Sequence, residues 1–332
     1  MPVMLRSGCA RANFIDSRYF WIWPCLATAT YIALMTALAR ASGISYLLFP
    51  ELGALASVVL ADPLSSWARS PKLLALTPVL TAAPGVLVTR TLPYGPTALI
   101  LDLAICLLVI RLLRSPVIPA ISAGVLPLVL GITSFLYPVA ILVGTGGLAL
   151  IVMLRSQLMP PLARAQVSPS VPTISTLVAP KSWLQRVPWL LPLAVFLLGA
   201  LVMVQLLGSH LVLYPPLLVI AWEMLANADE CPWQGRSLAV LVVTAGAAVA
   251  GTVLVLALGV SPLAAFLAVL VTALLLRLAR LRCPPAFGLA LLPFLIPAPT
   301  LAYPLLTLAG TTWLILVVKL DQILKIRFCN PQ

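Results

Sequence analysis

The sequence predicts an all-α polytopic membrane protein made of two parallel repeats, each of about six transmembrane segments, the fifth short and broken by proline. Three observations carry this prediction. Of 332 residues, 62% are hydrophobic and only 8% charged; a soluble domain has about 25% charged residues, so a water-facing shell cannot be built. Apolar runs close to the ~20 residues that cross a bilayer recur along the chain. Arg, Pro, Tyr and Gly positions of the first half also return in the second at one spacing.

Residues 1–23 begin basic and turn apolar without a small-residue cleavage site, and more spans follow. That predicts a retained first helix behind a cytoplasmic segment, although an Arg-rich start also suits a plastid transit peptide. The apolar segments of the first unit are 24–41, 44–61, 71–92, 97–113, 117–130 and 134–154. Those of the second are 188–208, 211–226, 236–258, 262–281, 284–296 and 300–320.

The two units align on residues that are rare in such a chain. RLLRSPVIPAISAGVLPLVL from Arg111 lies beside RLARLRCPPAFGLALLPFLI from Arg277, an offset of 277 − 111 = 166. Arg114 then meets Arg280, Pro119 meets Pro285, Pro127 meets Pro293, Tyr137 meets Tyr303 and Gly144 meets Gly310. Upstream, FPEL from Phe49 meets YPPL from Tyr214 at an offset of 165. Residues 24–155 and 188–320 therefore read as copies of one unit. The Pro- and Ser-rich stretch 156–187 reads as a linker, and 321–332 as a tail.

The fifth segment sets the topology. About 13 helical residues reach only about 20 Å, short of a ~30 Å hydrocarbon core, so the segment crosses as a broken helix or re-enters. If it crosses, only Arg40 and Arg90 of the 20 Lys and Arg fall opposite the termini and linker. If it re-enters, the basic residues divide evenly. Positive charge collects on the cytoplasmic side, which favours crossing and places both termini and the linker in the cytoplasm.

Charges inside apolar segments are the first functional candidates. Glu51, Asp102 and Glu223 are such acids, suited to proton coupling, to solute binding, or to holding a buried partner. Glu51 aligns with Pro216 and Glu223 with Val58, so neither of these acids recurs in the other unit, which argues for one asymmetric site. Arg40 and Arg90 stand where an anion would enter, though Arg90 could equally pair with Asp102. Broken helices are a common way to build solute sites at mid-membrane, so Pro119, Cys283, Pro284 and Pro285 complete the expected solute-binding set. A packing kink is the alternative for those prolines.

Arg111, Arg114, Arg277, Arg280 and Arg282 read as headgroup anchors, His210 as interfacial, and Gly144 and Gly310 as close-packing points. Six scattered cysteines without a CxxC pair argue against a zinc site or disulfide framework. One histidine rules out HExxH, and neither GxSxG nor a Walker loop is present, so no catalytic role, cofactor or metal is expected.

The order of FPELGALASVVLADPLSSWARSPK, a pair of apolar helices, an Arg-led Pro-Pro-Ala stretch and SFLYPVAILVGTGG resembles the HPP family of integral membrane proteins. Where that family has His-Pro-Pro-Ala, this chain has Cys283-Pro284-Pro285-Ala286 and Val117-Ile118-Pro119-Ala120. The resemblance implies a fused double unit that moves a small anion such as nitrite between its halves; the alternative is a non-transporting scaffold that kept the fold. The expected partners are the lipid bilayer and that solute, with homo-oligomerisation open and no role for nucleic acid. The expected location is a bacterial plasma membrane or a plastid membrane.

Overall fold

The computed structural model describes residues 22–158, 189–228 and 231–329, so the N-terminal segment and most of the linker expected at 156–187 lie outside the described residues. All regular structure in the described residues is helical. The first half holds α1 (Ile22–Ser42), α2 (Glu51–Ala61), α3 (Pro71–Thr91), α4 (Pro96–Leu113), α5 (Ala120–Leu130) and α6 (Leu136–Leu158). The second holds α7 (Leu190–Leu207), α8 (Pro215–Leu225), α9 (Ser237–Leu258), α10 (Pro262–Leu278), α11 (Pro285–Leu291) and α12 (Ala302–Cys329). Seven of them, α1, α3, α4, α6, α7, α9 and α12, are long and apolar enough to cross a membrane. The chain is a polytopic integral membrane protein.

Helix starts follow proline chemistry. Pro71, Pro96, Pro215, Pro262 and Pro285 occupy first-turn positions, where the missing N–H would have had no partner anyway and the fixed φ suits a helix. Ser261 adds a side-chain cap, its hydroxyl accepting from Ala264 N at 3.2 Å. The same logic revises the reading of segment five. Pro119 and Pro284 are the residues before the first turn of α5 and α11; these prolines begin short helices, and nothing long is broken.

Segment two is also discontinuous, in both halves, where an unbroken span was expected. A 3₁₀ turn at Ser45–Leu47 precedes Pro50 and α2, and another at His210–Leu213 precedes Pro215 and α8. Each turn closes its own donors locally, as with Leu48 N to Ser45 O at 3.1 Å. The result is four short helices: 11 residues each in α2, α5 and α8, and seven in α11. At the far end, α12 stays helical to Cys329, beyond the expected boundary at 320.

The short helices form the centre of the packing. In the first half α3 packs on α4, α5 and α6; in the second α9 packs on α10, α11 and α12. Between halves, α2 lies on α11, α8 lies on α5, and α1 lies along α10. The pair corresponding to α1 and α10, namely α4 and α7, makes no comparable contact.

Several contacts recur at the sequence offset. Tyr137 Oη donates to Ala123 O at 2.8 Å and Tyr303 Oη to Leu289 O at 3.0 Å. A Cβ on Gly85 would run into the Gly124 carbonyl, and one on Gly251 into the Ala290 carbonyl. One on Gly144 would meet Leu52 Cδ2 at 3.1 Å, and one on Gly310 would meet Leu217 Cδ2 at 3.0 Å. Arg114 and Arg280 share a left-handed backbone, φ 49° in each.

These glycines can be tested. Gly85→Ala and Gly251→Ala each force backbone atoms apart and should cost about 1–3 kcal/mol. Gly146→Ala, with nothing within 4 Å of the new methyl, should be neutral or slightly stabilising. Thermal unfolding of the detergent-solubilised protein distinguishes them; equal melting temperatures for all three would contradict the packing described.

Candidate functional site

Contacts with the long helices fix how the short ones lie. Thr81, at the middle of α3, donates to Ala120 O at 2.7 Å, and Gly85 abuts Gly124. α5 therefore starts in the interior and runs parallel to α3. Leu52 lies against Gly144, and Leu60 O accepts from Arg155 Nη1 at 2.8 Å, so α2 runs parallel to α6. Thr145 of α6 reaches back to Ala75 O at 3.1 Å, while Tyr137 of α6 bonds Ala123, next to Gly124; α6 is thus antiparallel to α3. α2 and α5 consequently run in opposite directions, with their N-terminal ends inside the bundle. Their C-terminal ends reach the surface at Asp62 and Gly131, both exposed.

Glu51 is the first residue of α2 and is 1% exposed. Ser122, in the first turn of α5, faces its carboxyl as a donor. The pair falls outside regular hydrogen-bond geometry, and among the described residues neither Glu51 oxygen nor Ser122 Oγ has a bonded partner. From the other half, a methyl on Gly288 of α11 would sit 3.6 Å from Glu51 Oε1 and 3.1 Å from Pro216 Cγ of α8. Gly288 lies 166 residues after Ser122, and Pro216 lies 165 after Glu51. Four positions that correspond in pairs thus meet at one point.

Asp102 is a second buried acid, at 0% exposure on α4. Cys106 Sγ approaches its Oδ1 at 3.8 Å, and Oδ2 has no partner among the described residues. It lies against Gly124, whose added Cβ would be 3.6 Å from Oδ1. Ser122 and Gly124 are two residues apart on α5, on opposite sides of that helix, so Glu51 and Asp102 flank it. The Tyr137 ring is close enough to feel both carboxyls.

The remaining expected residues lie elsewhere. Arg40 and Arg90 are exposed in the last turns of α1 and α3, where a cation complements the helix dipole. The Arg90 guanidinium lies 4.9 Å over the Phe135 ring, not against Asp102. Glu223 is half-buried near the C-terminal end of α8, where Asn227 Nδ2 donates to it at 3.4 Å. Cys283 is buried ahead of α11, followed by half-buried Pro284 and by Pro285, the first residue of that helix, and Pro119 precedes α5. The structure brings Glu51 and Asp102 to one helix and leaves the arginines and Glu223 outside that group.

At the Arg90 end, a cavity of about 400 Å³ is lined by Leu92, Tyr94, Leu128, Gly131, Thr133 and His210. The Tyr94 and His210 rings stack at 3.7 Å and 11°, joining the α3–α4 loop to the second half. Burial pushes the Tyr94 phenol up to about 12. Burial likewise pushes the Cys231 thiol, in the α8–α9 loop, up to about 11, which leaves it a poor nucleophile. No cluster of metal-ligating side chains occurs among the described residues.

No protein-family model, curated protein or solved structure matches this chain.

Ser122, Gly288, Pro216 and Gly124 were missed as site residues. The repeat offset could have found Ser122 and Gly288, each the third residue after an aligned proline. An unsatisfied buried polar group costs roughly 1–3 kcal/mol. Glu51→Leu should therefore raise the thermal stability of the purified protein by about that amount. A fall in melting temperature would mean that the carboxyl has a stabilising partner in the folded state.

Proposed function

We propose that the chain is a membrane transport protein for a small anion, its pathway passing between the halves where Glu51, Ser122, Gly288 and Pro216 meet. The observation that carries this reading is Glu51 itself, a carboxyl sealed in an apolar bundle without a hydrogen-bonded partner among the described residues. Such a group is expensive to retain in a membrane and marks function by default.

The choice of an anion rests on the surrounding helices. The N-terminal ends of α2 and α5 turn toward this interior point, and such ends carry partial positive charge. Discontinuous helices whose positive ends face an anionic solute are an established way to build a transport site. The basic side chains Arg40 and Arg90 at one end add a field that attracts anions toward the bundle. Nitrite is the solute that the HPP resemblance implies, and a bacterial plasma membrane or a plastid membrane the setting.

The purified protein in liposomes is expected to take up nitrite, nitrate or formate saturably, beside empty liposomes that do not. Ser122→Cys should place a thiol in the path, so that a small water-soluble thiol reagent blocks uptake by that variant and not by the parent protein. Folded protein that moves none of these anions would overturn the proposal and leave the scaffold reading.

A further inference from the structure

We propose that Glu51 is the proton-carrying group of this pathway and that its carboxylate and the transported anion take turns at one place, the interior ends of α2 and α5. This inference rests on the transport reading above. It starts from a conflict in the geometry. Two negative groups cannot share a small apolar junction, because burial without pairing penalises each charge and their mutual repulsion adds to it. Yet the same junction offers the dipoles that favour one of them.

Protonation resolves the conflict. A proton from water converts the carboxylate to a neutral carboxylic acid, which releases its claim on the helix ends and gains an O–H donor. An anion then enters, facing the acid O–H and the Ser122 hydroxyl, both of which can donate. Loss of the proton on the far side restores the carboxylate and expels the anion. One proton and one monovalent anion thus cross together with no net charge moved, and the junction carries a single negative charge in the empty and the loaded state alike.

The groups around Glu51 leave it free for this role. α5 and α11 contribute no titratable side chain. From α1, the Tyr31 hydroxyl is committed to Gly144 O. Tyr137 and Tyr303, whose rings neighbour the carboxyl, are committed to Ala123 O and Leu289 O. Arg155 of α6 is held at the opposite end of α2 by Leu60 O, and Glu223 lies at the far end of α8 with Asn227. Asp102, across α5, carries its own unpartnered oxygen beside Cys106, so no cation neutralises Glu51 from that side.

The test uses nitrate, the anion of a strong acid, which brings no proton of its own. Vesicles containing the full-length protein carry a pH-sensitive dye, with potassium and valinomycin holding the voltage at zero. Inward nitrate should acidify the interior, and external acid should speed uptake. Glu51→Gln, fixed in the neutral form, should move nitrate without acidification, respond no longer to external pH, and exceed the parent protein under alkaline conditions. Nitrate uptake by the parent without acidification refutes the proton role while sparing the transport reading. The same holds if Glu51→Gln still acidifies the vesicles, or is folded yet moves no nitrate. Absence of any anion flux in the parent removes both readings. The parent measurement decides the proton role even if the variant does not assemble.

Discussion

Backbone donors at the start of a helix need partners, and in an apolar bundle no water supplies them. Among the described residues four helices begin inside, and the way the fold meets that need organises everything else. Proline removes a donor outright at Pro119, Pro215, Pro284 and Pro285. Local turns satisfy others, such as Leu52 N on Phe49 O and Ser122 N on Pro119 O. Small residues then let backbones approach, with Gly85 against Gly124 and Gly251 against Ala290. The long helices form the surround within which these interior starts are tolerable. Only Glu51 and Ser122 depart from the rule at the junction itself, by leaving side-chain atoms unbonded.

Much of the architecture was legible because composition and periodicity speak to long apolar helices. The offset of 166 drew attention to Tyr137 and Gly144, whose contacts have counterparts at Tyr303 and Gly310. The discontinuity of segment two was not legible, since Ser45–Ala61 reads as one apolar run and the deciding event is a three-residue 3₁₀ turn ahead of Pro50. Glu51 and Asp102 stood out as charges in apolar sequence, and both are buried against the same helix, α5. Arg90, read from the sequence as an outer cation that could pair with Asp102, ends its helix over Phe135 instead. Ser122 and Gly288 carry no charge, and their only signal in the sequence is their shared place three residues after an aligned proline. They matter only because α5 and α11 deliver them to a shared point, a tertiary fact.

The two flanks of the contact between the halves are unlike. α1 seals against α10, whereas α4 and α7 lack that seal. The stack of Tyr94 on His210 and the adjoining cavity occur where the chain enters α4 and leaves α7. Asp102 is on α4 as well, and the corresponding position 268 on α10 is a buried alanine. The unsealed flank between the halves, the cavity and Asp102 thus all involve α4 or the loop that leads into it.

The pairing of Glu51 with Pro216 across Gly288 has a consequence for how such a protein can arise. In a dimer of identical chains, a carboxylate near the twofold axis faces its own twin, and two like charges at close quarters cannot both stay ionised. Covalent linkage of the two units lifts that restriction. One unit can keep the acid while the other offers a residue with neither charge nor N–H, and a single ionisable group then sits where symmetry would have demanded two.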